Sequence, residues 1–187
     1  KSKNVLICCF NLMSPTIVCE LEMNNEPSVS DMLNLSMFGD GASAIVLSSR
    51  EGGGSIEEVK TNSVGWGQKP GMELLGGGSV YPMSPKNLEK GLSKWKHDSN
   101  MILEKGSELS RKAVLEITQL TNRHISEYDF IIFPQANPNT LKNDIKNLQK
   151  MYGIEPEKVF YTVDKSGNTS TSGLFIALDQ LKKSNKV

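Results

Sequence analysis

The side chains best suited to chemistry lie in two short turns, Phe133-Pro134-Gln135-Ala136-Asn137 and Ser166-Gly167-Asn168-Thr169-Ser170. Their amides offer hydrogen-bond donors and acceptors without a titrating charge, so they can hold a polar group but cannot act as general bases. Each turn follows an apolar, strand-like run and opens a helix-like segment. In an α/β sheet that puts Asn137 and Asn168 at the carboxyl ends of strands, where ligands usually bind. Asn168 equally suits a plain cap for a helix starting at Thr169, and the pattern alone leaves both roles open. Nucleophiles and bases are scarcer. Cys8, Cys9 and Cys19 are odd in number and lack metal-type spacing, and the first two sit inside an apolar run where thiols behave as small hydrophobes. Nothing next to them would lower a thiol pKa. His124 precedes a strand-like run and is expected at the opposite end of the sheet, while His97 reads as a solvated loop residue. Gly76-Gly77-Gly78 lacks the Gly-Lys-Ser/Thr sequel and the strand-to-helix setting of a nucleotide-binding loop.

Four apolar runs, at 5–10, 44–47, 130–133 and 159–163, must position these turns. Their continuous hydrophobicity predicts strands covered on both faces, in a parallel or mixed sheet between helix layers. Ile102, Leu109, Ala113, Ile117 and Leu120 share one face of a predicted helix, with Glu108, Arg111, Lys112 and Glu116 mostly on the other. Leu141, Ile145, Leu148 and Tyr152 mark the next helix, capped by Asn137, entered through Pro138 and stopped at Gly153. A third is expected over about 169–183, where Lys182 and Lys183 complement the helix dipole. The stretch 65–100 is rich in Gly, Pro, Ser and Asn and reads as a functional loop or a crossover, with Trp66 and Trp95 as anchors. Two units are expected, 1–84 and 85–187.

With 187 residues and 37% hydrophobic content the chain can form one core, or two half-cores sharing an interface. Its 21 basic and 21 acidic residues leave no net charge to draw it to nucleic acid or to an anionic membrane. No run of eighteen apolar residues and no cleavage-site pattern after Lys1-Ser2-Lys3-Asn4 are present, so a cytoplasmic location is expected.

Together with Phe38-Gly39-Asp40-Gly41-Ala42, the two turns resemble those of ketoacyl synthase III, a thiolase-fold condensing enzyme that starts fatty-acid chains. The resemblance covers nearly the whole chain. Residues 1–14 resemble the strand after the family's nucleophile helix, 37–47 its turn-and-strand signature, and Gly76-Gly77-Gly78-Ser79 the loop before its second half. Gly153-Ile154-Glu155-Pro156-Glu157-Lys158-Val159 resembles the phrase linking its two active-site turns. The fold implied is α/β and thiolase-like: two half-folds, each a mixed sheet between helices, both incomplete in this chain. A fragment is therefore expected, lacking the nucleophile region and the closing strands, with bare edges and apolar helix faces covered by further sequence or a partner chain. Gly39-Asp40-Gly41 is expected to hold the interface between halves as a tight turn.

The resemblance also implies a chemistry. Family members use a cysteine nucleophile, with a histidine and an asparagine that stabilise the enolate formed as malonyl-carrier loses carbon dioxide; fixed donors in a water-poor pocket do this well. Asn168 matches that asparagine. Pro134 occupies the histidine position, and proline offers no side-chain donor, no titratable group and no backbone N–H. Gln135 is the nearest replacement donor, though not a base. Ser99 and Asn100 fall near the family's coenzyme A contacts, His97 near its pantetheine arm, and Asn137 is carried over as a substrate-binding residue. Asn139 stands where the family often has a basic residue at the carrier-protein entrance, with Lys142 one turn on.

The function implied is an acyltransferase acting on acyl-CoA or acyl-carrier thioesters in fatty-acid or related biosynthesis. No metal and no resident cofactor are expected, acyl-CoA being a substrate, and the expected assembly is a homodimer or a ketosynthase heterodimer. The alternative is a non-catalytic, degenerate subunit scaffolding an active partner, for which Pro134 is the argument. An unrelated α/β binding domain would make the five matches coincidence.

Overall fold

The computed structural model describes residues 3–23, 26–27, 29, 32, 36–49, 55–63, 65, 67–82, 84–92 and 96–187. Trp66 and Trp95 lie outside the described residues, as do the side chains of Cys19 and Ser99. The first sheet is an antiparallel pair, β1 (Asn4–Asn11) with β2 (Gly41–Ser48), in unbroken register from Asn4 opposite Ser48 to Asn11 opposite Gly41. Helix α1 (Ser14–Met23) follows β1. Because strand side chains alternate between faces, Leu6, Cys8 and Phe10 share one face with Ala42, Ala44 and Val46. That face is open: Leu6 is 64% and Phe10 80% exposed.

The expectation of strands covered on both faces is thus corrected here, because a run apolar at every position conceals an alternation that only packing reveals. Cys8 is exposed and Cys9 half-buried, so the reading of a buried pair fails for Cys8.

The stretch between the halves is not structureless. Strands β3 (Met72–Glu73) and β4 (Lys96–His97) pair antiparallel, and α2 (Pro85–Glu89) lies between them, capped by the Ser84 side chain, which accepts from Asn87 N at 3.4 Å. Gly76 N donates to Leu92 O at 2.7 Å, and a Cβ at Gly76 would meet that oxygen at 2.9 Å, so the close approach itself requires glycine.

Helix α3 (Ser99–Thr121) starts under the Asp98 carboxylate, which accepts from Met101 N at 3.0 Å. Helix α4 (Pro138–Tyr152) has the expected limits, with Asn137 as cap, Pro138 first, and Gly153 ending it in the left-handed region at φ 66°. Then come α5 (Val163–Ser166) and α6 (Ser172–Lys183). Two expectations change. The runs 130–133 and 159–163 share a single parallel bridge, Ile131 with Val159, in which Ile131 N donates to Lys158 O at 2.8 Å and Phe160 N to Ile131 O at 3.0 Å. The second run ends by turning into α5, and the last helix starts at Ser172 rather than near 169.

The core joins Ile125, Phe133, Leu141, Leu148, Ile154, Val159 and Val163, with Val114, Ile131, Ile145 and Tyr152 packed against it. Each fully buried aliphatic side chain contributes roughly 1.5–3 kcal/mol of transfer free energy. Helix α6 packs on β2 and more lightly on β1, burying Ala177 and Leu181. The architecture is α/β: two small sheets with antiparallel ladders and two parallel bridges, flanked by helices. Among the described residues no helix is long and apolar enough to cross a membrane.

Candidate active site

Asn168 lies in the loop joining α5 to α6. Gly167 precedes it at φ 65°, ψ −172°, a combination open to glycine alone, and ends α5. Asn168 O accepts from Gly39 N at 2.9 Å, and Phe38 and Asn168 form the second parallel bridge, across the two halves. The side chain is half-buried; its Oδ1 accepts from Ser170 N at 2.9 Å, while its Nδ2 has no partner among the described residues. Asn168 is therefore not the cap of a helix starting at Thr169. It closes a local turn, and Thr171 occupies the cap position with no side-chain bond.

Gln135 is 2% exposed and fully engaged as an acceptor. Its Oε1 accepts from Thr162 N at 2.8 Å and Val163 N at 3.1 Å, and its Nε2 donates to Phe133 O at 2.7 Å. A side chain thus supplies the cross-links that the missing strand ladder would have made. Asn137 is also committed, Oδ1 accepting from Thr140 N at 2.9 Å and Nδ2 donating to Thr140 Oγ1 at 2.8 Å. The two turns converge on the first turn of α6: a Cβ at Gly173 would stand 3.2 Å from both Gln135 Cβ and Thr169 Oγ1. Pro134 is exposed and, with Leu109, Ala113 and Ile117, lines an apolar hollow of about 560 Å³.

The Phe38–Ala42 segment ties this region to β1 and α1; the tight turn expected at Gly39-Asp40-Gly41 is corrected here, since the segment runs without a turn from the Phe38 bridge into β2, and both glycines serve close approach instead. Asn11 Nδ2 donates to Gly39 O at 2.8 Å, and Met13 N and Ser14 N donate to Asp40 Oδ1 at 2.6 and 2.9 Å. The Ser14 side chain and these two N–H groups hold the Asp40 carboxyl below its ordinary pKa, since hydrogen bonds to a carboxylate favour the charged form. A Cβ at Gly41 would lie 2.7 Å from both Thr169 Cβ and Cγ2, so glycine serves here for closeness.

The remaining candidates are dispersed. His124 is exposed and caps a 3-10 turn, Ile125–Glu127, with Nδ1 accepting from Ser126 N at 3.3 Å and its ring edge-on to Tyr152. His97 is in β4, Asn100 is exposed in the first turn of α3, and Asn139 and Lys142 are exposed on α4. Thr162 and Ser172 join the site without any signal in the sequence, and Thr169, named there only as part of its turn, joins them. Ser172 Oγ donates to Thr169 O at 2.6 Å, and Thr169 Oγ1 is buried without a partner. In a separate hollow of about 680 Å³ between α3 and α4, burial raises the pKa of Asp144. Among the described residues, no cluster of three or more His, Cys, Asp or Glu could hold a metal.

Similar folds define the class. Superposition on 3-oxoacyl-(acyl carrier protein) synthase III of Pseudomonas aeruginosa PAO1 gives a TM-score of 0.74 over 99% of this chain and 52% of that one, at 17% identity. The synthase III of Thermus thermophilus gives 0.66 over the whole chain, at 20% identity. The fold is thiolase-like. Residues 118–187 match the family described as 3-oxoacyl-[acyl-carrier-protein (ACP)] synthase III C terminal. The beta-ketoacyl-[acyl-carrier-protein] synthase III of Chlamydia caviae is 33% identical over 153 residues, covering 78% of this chain and 42% of the relative; that of Campylobacter curvus is 26% identical over 185 residues, covering 99% and 51%. The chain is homologous to the ketoacyl synthase III family and spans about half the length of the curated relatives it matches.

Proposed function

We propose that this chain forms part of a condensing-enzyme-type acyltransferase acting on acyl-CoA or acyl-carrier thioesters in fatty-acid or related biosynthesis, with 1–84 and 85–187 contributing to its two halves. The observation that carries this reading is the Asn168 amide. Its Nδ2 is uncommitted among the described residues, while the amides of Gln135 and Asn137 are bound into the fold. A fixed amide donor suits an oxygen on which negative charge develops, as in the enolate of a decarboxylating malonyl thioester. In this reading Asn168 is that donor and Gln135 acts by bracing the turn. Ser99, Asn100 and Asn137 flank the thioester arm, and the nucleophile is a cysteine other than Cys8, Cys9 and Cys19. The assembly is a homodimer or a ketosynthase heterodimer.

Pro134 supports a second reading, a non-catalytic subunit that scaffolds an active ketosynthase, because an exposed proline at the histidine position can neither donate nor transfer a proton. One experiment separates the two. Incubating the full-length protein with acetyl-CoA and weighing it should give a single acetyl adduct on a cysteine, and Asn168→Ala should slow malonyl-thioester decarboxylation about 10²–10³-fold. No adduct on any cysteine leaves the scaffold reading.

A further inference from the structure

Asn168 is not placed by its own loop alone. Its carbonyl accepts from Gly39 N at 2.9 Å, so the neighbouring amide inherits the position of the loop 38–41. That loop is fastened twice on its far side. Asn11, at the end of β1, donates to Gly39 O at 2.8 Å, and Asp40 Oδ1 gathers the N–H groups of Met13 and Ser14, where α1 begins. On its near side it approaches the second turn closely, leaving no room for a side chain: a Cβ at Gly39 would lie 3.3 Å from Ser166 O, and one at Gly41 2.7 Å from Thr169 Cβ. The loop is thus hydrogen-bonded to β1 and α1 on one side and to Asn168 on the other.

We propose that Asp40 and Asn11 are positioning residues for Asn168, setting through Gly39 the place at which its Nδ2 is presented. Neither is bonded to Asn168. The tether stands on these contacts, and only the value given to Asn168 rests on the proposed function. Placement matters because a preorganised donor works only when held within about 0.5 Å of its productive position. Removing the Asp40 carboxylate frees the N–H groups of Met13 and Ser14 and unfastens one end of the loop, which loosens the Gly39–Asn168 rung.

Nitrogen-15 NMR on the full chain tests the tether, with unfolding midpoints measured alongside. The readouts are the exchange rate of the Gly39 amide, the side-chain amide resonances of Asn168 and, as control, the exchange of the Phe160 amide in the Ile131–Val159 bridge. Asp40→Ala should speed Gly39 exchange about tenfold relative to Phe160 and shift the Asn168 resonances. Asp40→Asn keeps an oxygen acceptor and should restore both. Asn11→Ala should act in the same direction to a smaller extent, and it carries the test if Asp40→Ala does not fold. Equal acceleration at Gly39 and Phe160 would mean that Asp40 only stabilises the fold, and would overturn the proposal, as would unmoved Asn168 resonances. Full decarboxylation activity in Asn168→Ala removes the proposed catalytic role but leaves the tether. An inactive Asn168→Ala whose parent protein ignores Asp40→Ala and Asn11→Ala removes the tether but leaves the role.

Discussion

Both halves are rich in apolar residues and use them in opposite ways. Among the described residues every buried hydrophobic side chain lies between Ile125 and Leu181, whereas the outer face of the β1–β2 pair leaves Leu6, Phe10 and Val46 open. Leu141 is 3% exposed and Leu6 64%. The second half is held by side-chain packing with little ladder, the first by a full eight-residue ladder with little packing. Asn168 sits on the seam between them, so its placement draws on both kinds of order.

Substitutions can break or sharpen this contrast. Leu141→Ala should cost about 2–5 kcal/mol in urea unfolding, while Leu6→Ala should stay within about 0.5 kcal/mol; equal costs would erase the difference between the halves. Gly41→Ala should cost about 1–3 kcal/mol, because its methyl group meets the Cβ of Thr169, and calorimetry should show the β1–β2 sheet melting apart from the second half. A smaller effect is expected at Asp40. Its native pKa is lowered, so its stabilisation is complete above the ordinary aspartate value of about 3.9 and disappears as pH falls through the lower native value. The stability gap between the wild type and Asp40→Ala, followed by denaturation at stepped pH, should therefore narrow only at the acid end. Phe10→Ser should leave the unfolding midpoint nearly unchanged and reduce light scattering at high concentration, since the side chain is 80% exposed on an apolar face.

Helix α4 was readable in full from the sequence, because Asn137, Pro138 and Gly153 act through local backbone geometry that travels with the residue type. Gly39-Asp40-Gly41 was readable as a contact segment but not as the extended stretch it is, since its glycines answer to Thr169 and its carboxylate to Met13, both from distant segments. The runs 130–133 and 159–163 were misleading. Consecutive apolar residues specify burial, not a ladder, and there Gln135 rather than backbone pairing ties the segments together. Gln135 itself follows proline, where nothing in the sequence distinguishes a surface amide from a buried one whose donor partners, the N–H groups of Thr162 and Val163, lie 27 and 28 residues on.

The Gln135 site also turns on a single atom. Changing its amide nitrogen to oxygen, as in Gln135→Glu, would set two acceptors face to face where Nε2 now donates to Phe133 O at 2.7 Å. In so dry a place the variant would have to bind a proton to keep its shape. Acid would then preserve that variant and alkali unfold it, the reverse of the behaviour expected around Asp40.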